Sequence, residues 1–430
     1  MHITITRRSR LRASARLGIA VLTAAVATAG LAAAPAAADE TPRAIAKASA
    51  AEDFATAVRP YADARIQKIN ARAAVAAVDP TCMTGRQSTS VLMTRFAGGN
   101  RYQTAVCSSL GAWADHDSTD PSAMKAKAVV LARGDEFPDA LAGGPLAGYV
   151  DGPLLLSPSN ALPAEVRAEI DRVLGGSGTV YLLGGTLSSS INNALRSAGY
   201  QTKRLAGANR FDTAIAIARE MRSTNLFFVT TGMDYPDALA AGAFAASYTS
   251  WATWHPDAAD DRRPYALLFT NNARMPSATA NFIVERANQF PEPGTGYPTV
   301  LLSTAGAQGD RAVRSAFNPE VIDSYVGANR FATATIIADQ LFTSGGELTG
   351  AGVGLANGMN FPDALAGTST LMNFGQPLLL TTPTTLQTTT RSFLVSHRGD
   401  VPDQAWLDLF GGTGVISTPV ANAAFTAFGG

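Results

Sequence analysis

The 430-residue sequence predicts an α/β protein of three tandem modules, each of roughly 110 residues and each with a parallel sheet. Two observations predict this fold class. First, the same short words occur three times in the same order, as in repeat proteins. Second, short apolar runs alternate with segments that open like helices, which is typical of a parallel sheet with helical crossovers. With 46% hydrophobic and 16% charged residues, the chain has the composition of a globular protein.

The first repeated word is Gly-x-Asn-Arg-aromatic-x-Thr-Ala, at residues 98–105, 207–214 and 327–334. Each copy stands just before or at the start of a predicted helix. Its polar residues are Asn100, Asn209 and Asn329, followed by Arg101, Arg210 and Arg330. Glycine and asparagine ahead of an arginine would let backbone amides and a guanidinium converge on one anion.

The second word is aromatic-Pro-Asp-Ala-Leu, at residues 137–141, 235–239 and 361–365. Each copy follows an apolar run and a glycine. The run at 129–132 is short and continuous, as in a parallel strand that is buried on both faces. Pro138 then stands where helix starts tolerate proline, and Asp139 stands in a first turn that favours acids. The corresponding aspartates of the other copies are Asp237 and Asp363.

Two further words complete each copy. A proline followed by leucines, at 153–156, 264–268 and 377–380, indicates a second strand, and a helix is expected from 162 to 173. An apolar run into paired glycines, at 180–185 and 409–412, indicates a third strand that ends in a turn. Copy two has degenerated here, at 300–306, and also carries an insertion over roughly 250–263.

The first 38 residues have the layout of a secretory signal peptide. Five arginines precede an apolar run at 17–34 and a small-residue site at 36–38. The alternative is an uncleaved membrane anchor. Residues 39–94 are predicted to be a helical or spacer segment. No later run is long and apolar enough to cross a bilayer, so no membrane span is expected after the leader is removed.

Charge and cysteine content narrow the partners. The chain holds 34 basic and 34 acidic residues, and because five arginines lie in the leader, the mature chain is mildly acidic. An anionic partner would therefore need a local cluster of donors, and nucleic acid is not expected. Export would let Cys82 and Cys107 form a disulfide, although two separate buried thiols are the alternative. Cysteines and histidines show no zinc-ligand spacing, and no cofactor is expected.

Taken together, the four words resemble the bacterial cell wall-binding repeat family (type 2), which is usually found in three tandem copies. On this resemblance, the modules span 95–203, 204–323 and 324–430. It implies Rossmann-like, topoisomerase-primase-like modules packed around a pseudo-threefold axis. It also implies a secreted protein that is attached non-covalently to a Gram-positive wall through an anionic polymer, teichoic-acid-like or another secondary polysaccharide.

The arginines, with the asparagines and aspartates around them, are the expected ligands of that polymer. The alternative is that each arginine pairs with the aspartate of its own module, Asp139, Asp237 or Asp363, and only fixes a turn. The leucines of the third word could likewise be buried strand or ligand contacts. Burial in the sheet is the favoured interpretation.

Catalysis is not expected. The acids ahead of the second word differ among the copies, being Asp135 and Glu136, then Asp234, then none, so a repeated metal-binding carboxylate pair is missing. No nucleophile elbow or P-loop lysine occurs. The alternatives are a secreted wall hydrolase or phosphatase-like enzyme on the same fold, or an adhesive protein that displays residues 39–94.

Overall fold

The computed structural model describes residues 4–5, 82–121, 123–222, 224–254, 263–290, 299–317, 322–343, 352–398 and 405–430. The predicted signal peptide lies outside the described residues except for 4–5, and the predicted 39–94 segment lies outside them up to residue 81. Within the described part of the chain, no helix is both long and apolar enough to cross a membrane.

Strands and helices alternate along the chain. The strands are β1 (Thr4–Ile5), β2 (Met83–Gln87), β3 (Val91–Phe96), β4 (Ala128–Arg133), β5 (Leu154–Ser157), β6 (Thr179–Leu183), β7 (Gln201–Leu205), β8 (Leu226–Thr231), β9 (Tyr265–Thr270), β10 (Thr299–Ala305), β11 (Asp323–Tyr325), β12 (Gly352–Asn357), β13 (Leu378–Thr381) and β14 (Ala405–Phe410). The helices are α1 (Arg101–Ala112), α2 (Pro138–Val150), α3 (Ala164–Leu174), α4 (Ser189–Ser197), α5 (Arg210–Glu220), α6 (Pro236–Trp254), α7 (Ser277–Gln289), α8 (Gly306–Phe317), α9 (Arg330–Thr343), α10 (Pro362–Ala366), α11 (Thr368–Asn373), α12 (Thr388–His397) and α13 (Thr418–Phe428).

Three sheets share one strand order, which confirms the predicted α/β class with parallel sheets. Sheet one runs β5-β4-β6-β7, and all its pairs are parallel. Sheet two repeats this order as β9-β8-β10-β11, with β1 beside the first residues of β10. Sheet three runs β13-β12-β14-β3-β2. In each sheet the fourth strand leads directly into a Gly-x-Asn-Arg word.

The Pro-Leu-Leu words form the buried interior of the sheets. Leu154, Leu155 and Leu156 are each 0% exposed, and the corresponding residues of β9 and β13 are also buried. The hydroxyls that follow, on Ser157, Thr270 and Thr381, are buried and donate to loop carbonyls. The interpretation of this word as buried strand is confirmed.

The described end of the predicted helical or spacer segment is strand, so that part of the prediction is wrong. β2 and β3 form an antiparallel pair, and β3 lies parallel to β14, from Val91 opposite Ala405 to Phe96 opposite Phe410. In sheet three, β3 occupies the position that β7 and β11 occupy in sheets one and two. The apolar face of β3 fills that position and joins the core.

The predicted disulfide is present. Cys82, just before β2, is bonded to Cys107 in α1, with the two Cα atoms 6.1 Å apart, and both residues are buried. The bond links the hairpin of sheet three to the first helix of module one.

The three modules contact one another in a cycle. The helices that begin at Pro138 and Pro236 pack at the centre with α11, which directly follows the helix that begins at Pro362: α2 on α6, α6 on α11 and α11 on α2. Small residues allow this approach. A Cβ on Gly148, for example, would lie 2.7 Å from the carbonyl oxygen of Ala246. The helices of the first word pack around this centre, each on a neighbouring module: α1 on α10, α5 on α2 and α9 on α6.

We expect Leu155→Ala to lower the free energy of unfolding by about 2–5 kcal/mol, because it leaves a cavity in the middle of sheet one. Val395→Ala is the control, since Val395 is 41% exposed on α12, and it should change stability by less than about 0.5 kcal/mol. Urea unfolding measures both. Equal, small effects would contradict the burial of this word.

Candidate functional site

The second words of the three modules meet at one place. Each first strand, β4, β8 or β12, runs into a glycine turn and then into the proline that begins a central helix. The aromatic residue ahead of that proline touches its two counterparts. Ring centroids lie 5.7 Å apart for Phe137 and Tyr235, 5.6 Å for Phe137 and Phe361, and 5.5 Å for Tyr235 and Phe361. The carboxyl ends of three sheets therefore share one aromatic triangle.

The arginines of the first word are bound to the turn that precedes this triangle. Nη1 of Arg101 donates to the carbonyl oxygen of Gly134 at 2.6 Å. The same bond joins Arg210 to Gly232 at 2.6 Å and Arg330 to Gly358 at 2.7 Å. Glycine is needed here because a Cβ on Gly134 would lie 2.8 Å from the ring of Tyr102 and 3.2 Å from Cδ of Arg101.

Each guanidinium also lies over the aromatic ring of a neighbouring module. Its Cζ atom is 6.0 Å from the ring centroid of Phe361 for Arg101, 5.7 Å from that of Phe137 for Arg210, and 5.9 Å from that of Tyr235 for Arg330. Cation–π attraction acts at such distances. Every arginine therefore connects its own module to the preceding one in the cycle.

The aspartates of the second word do not pair with the arginines of their own modules, so that alternative is wrong. Among the described residues, no ion pair within 4.0 Å joins these arginines and aspartates. Burial raises the pKa of Asp139, Asp237 and Asp363. An arginine of the next module opposes this rise in each case, namely Arg210, Arg330 and Arg101, and at Asp139 the nearby Arg133 of its own module opposes it more strongly.

Each aspartate instead packs on the glycine that ends the third strand of its own module. These glycines, Gly184, Gly306 and Gly411, have φ of 79°, 77° and 105°, in the left-handed region that favours glycine. A Cβ on Gly184 or Gly306 would overlap the carboxylate of Asp139 or Asp237. Copy two thus keeps the one glycine of the fourth word that its aspartate needs, and the word is less degenerate than the sequence suggests.

The three asparagines are helix caps. Oδ1 of Asn100 accepts from the backbone amides of Tyr102 and Gln103 at 2.9 and 3.0 Å, and Asn209 and Asn329 do the same for α5 and α9. A cap of this kind satisfies amides that would otherwise be free at the helix start. The two capped amides of each helix are therefore not available to an anion, contrary to the prediction that they would converge on one with the guanidinium.

Two further arginines that hold the turns near this site were not predicted from the sequence. Arg95 donates to the carbonyl oxygens of Gly411 at 2.7 Å and Ile416 at 3.0 Å. Arg204 donates to those of Gly184 and Leu187, both at 2.7 Å. The signal was present, since both stand three residues before the glycine of the first word, where the third copy has Ser324.

We call the three aromatic residues of the triangle, the three arginines over them and the three half-buried aspartates the axial cluster. Its rim differs among the modules. Module one places Asp135 and Glu136 there, paired with Arg133. Modules two and three place Met233 and Met359, which are 46% and 54% exposed. Within the described ranges, no group of three or more His, Cys, Asp and Glu side chains is arranged to hold a metal ion.

The comparisons with known proteins agree with the repeats. The family described as Cell wall binding domain 2 (CWB2) matches residues 95–192, 204–284 and 325–421. N-acetylmuramoyl-L-alanine amidase LytC of Bacillus subtilis (strain 168) is 28% identical over 330 residues, covering 76% of this chain and 57% of that protein. The amidase enhancer of the same organism is 24% identical over 336 residues, covering 78% of this chain and 40% of that protein. The chain therefore spans about half the length of these curated relatives.

Two solved structures share the fold. Cwp8 from Clostridium difficile has a TM-score of 0.61 at 21% identity, over 80% of this chain and 52% of that one. Cwp6 from Clostridium difficile has a TM-score of 0.60 at 18% identity, over 80% of this chain and 48% of that one.

We expect Gly184→Ala to destabilise the protein more than Gly176→Ala. Both glycines have a left-handed φ, +79° and +82°, but a Cβ on Gly176 meets nothing within 4 Å whereas one on Gly184 overlaps Asp139. Left-handed backbone alone costs about 1–2 kcal/mol in each variant, so the excess reports the carboxylate contact. Thermal and urea unfolding measure it, and equal losses would contradict the contact.

The half-buried aspartates should make stability depend on pH. Burial raises the folded-state pKa of Asp363, whereas the unfolded value is about 3.9. The folded state thus binds more protons between these two values, and the stability so gained is full below about pH 3.9 and is lost as pH rises through the raised pKa. We therefore expect the free energy of unfolding, measured in urea between about pH 4 and 7, to fall less with rising pH in Asp363→Asn than in the wild type. Asn at the exposed Asp117 is the control, and an unchanged pH profile in Asp363→Asn would contradict the assignment.

Proposed function

Because the chain belongs to the Cell wall binding domain 2 family, we propose that it attaches non-covalently to the Gram-positive cell wall by binding an anionic polymer through all three repeats. The observation that carries the proposal is the threefold recurrence of one arrangement: an arginine held on a glycine carbonyl, over an aromatic ring of the neighbouring module.

The guanidinium groups supply the chemistry. Among the described contacts, each of the three arginines donates one hydrogen bond, through Nη1. Its other N–H groups can bind a phosphate or carboxylate of the polymer in the forked geometry that guanidinium provides. The glycine carbonyl and the ring fix the side chain beforehand, so little rotamer freedom is lost when the polymer binds.

The three arginines favour one shared site over three separate ones. Each guanidinium lies within 6.0 Å of a ring centroid, and the three rings touch. A polymer with repeated charges can therefore engage several arginines at once and gain by multivalency. Acids on the rim, such as Asp135 and Asp234, offset the positive charge of the arginines. Attraction of the polymer should therefore be short-ranged and depend on hydrogen bonds from the guanidinium groups.

We propose that the protein is not itself an enzyme. The recurring carboxyls, which would be the natural catalytic groups, are each packed on a glycine of their own module. The relatives are named as an amidase and an amidase enhancer, and this chain spans 57% and 40% of their lengths. We infer that the shared part is the one that attaches those proteins to the wall, and that this chain uses it for the same purpose.

We expect the mature protein to co-sediment with purified Gram-positive walls and not with walls stripped chemically of their secondary polymers. The triple variant Arg101→Lys/Arg210→Lys/Arg330→Lys keeps the charge but loses the fork, and its apparent affinity should fall at least about tenfold, or 1.4 kcal/mol. The control is Arg219→Ala, which breaks an exposed ion pair with Glu285 away from the axial cluster.

Circular dichroism and the melting temperature must show that the triple variant is folded. Binding that survives stripping of the walls would sink the anionic-polymer proposal. Full binding by the folded triple variant would reject the arginines as ligands and leave them as connectors of the modules.

A further inference from the structure

The sheets differ in how their fourth strand is held. β7 and β11 lie between two modules, so the chain anchors them at both ends. β3 closes sheet three through the same parallel pairing, and Gly411 donates its amide to the carbonyl of Phe96 at 2.8 Å. Only α1 anchors β3 on the module side, because the chain before it leads through β2 to residues outside the modules. The cycle of modules is thus closed by a strand that tension on the N-terminal segment could detach.

Such a pull would act on the hairpin in its weakest direction. β2 pairs antiparallel with β3, from Met83 opposite Phe96 to Gln87 opposite Leu92. Tension applied at Met83 would break these pairs one after another, and then those between β3 and β14. Met83, at the first pair, is buried, but the other four residues of β2 are exposed, so little burial resists the steps that follow.

The disulfide changes the path of the tension. Cys82 directly precedes β2, and its partner Cys107 lies 25 residues later on the buried face of α1. Because the bond enters the chain ahead of the hairpin, tension on the N-terminal segment passes from Cys82 to Cys107 without crossing β2 or β3. It reaches α1, which packs on β5 of its own module and on α10 and α11 of module three.

We propose that the hairpin β2–β3 is the clasp that closes the cycle of modules, and that the Cys82–Cys107 disulfide shields this clasp from tension on the N-terminal segment. The source of the tension, an attached wall, rests on the proposed function, but the shielding itself is a property of the chain. The part-buried contacts of Arg95 belong to the clasp, because they tie β3 to the turn after β14.

Single-molecule pulling between a peptide tag ahead of residue 82 and a tag after Gly430 tests the proposal. The Cys82→Ser/Cys107→Ser variant should show an early event at lower force than any event in the oxidised wild type. That event should release residues 82–96, or about 5 nm of extended chain. The same first rupture force in both proteins, with no added step, would overturn the shielding.

Two further measurements keep the test decisive. If the serine variant does not fold, the folded wild type is reduced in place with dithiothreitol and pulled in the same way. Without load, hydrogen exchange in the serine variant should rise in β14 more than in β6, its counterpart in sheet one; an equal rise would overturn the clasp. Wall co-sedimentation at rest should stay at the wild-type level, so failure of the clasp and failure of wall attachment give different results.

Discussion

The contact between an arginine of one module and an aromatic ring of its neighbour is the interaction on which the rest of the structure depends. The three modules pack on one another through the central helices α2, α6 and α11, and this contact joins the first word of each module to that centre. The arginine of each first word is fixed by a carbonyl of its own module and lies over a ring of the preceding one. Repeated three times, this contact orders the cycle, and the aromatic triangle is its centre.

The words recur because each one supplies one side of a contact whose other side is supplied by another word. The glycine between first strand and proline recurs because it must admit Arg101 and Tyr102 or their counterparts, and the glycine after the third strand recurs because the carboxylate lies against it. This explains why copy two could lose one glycine of its pair and keep Gly306. One position before the first word is not kept: ahead of the third copy, Ser324 replaces the arginine seen at 95 and 204, and its hydroxyl donates to Asp310 instead.

Much of the fold followed from local pattern, and the parts that did not were non-local. Strands at 129–132 and 180–183, the helix that begins at Pro138 and the Cys82–Cys107 bond were predictable from apolar runs, helix-start chemistry and export. The position of β3 was not, because its partner β14 lies more than 300 residues away in sequence and no local signal encodes such a pairing. The arginines were recognised as a repeated set, but the only protein partners considered for them lay within modules, since spacing cannot show which module supplies a neighbour.

The same arginines cannot serve module cohesion and polymer binding independently. A polymer that bound them would bind only the closed cycle, since each site is made of two modules, and by linkage it would stabilise that cycle over any opened form. The converse also holds: a single repeat cut from the chain would lack the ring that orders its arginine, and repeat three would also lack β3. On the proposed function, the unit that binds the wall is therefore the closed set of three modules, with β3 completing sheet three; β3 begins at Val91, ahead of the family match that begins at residue 95.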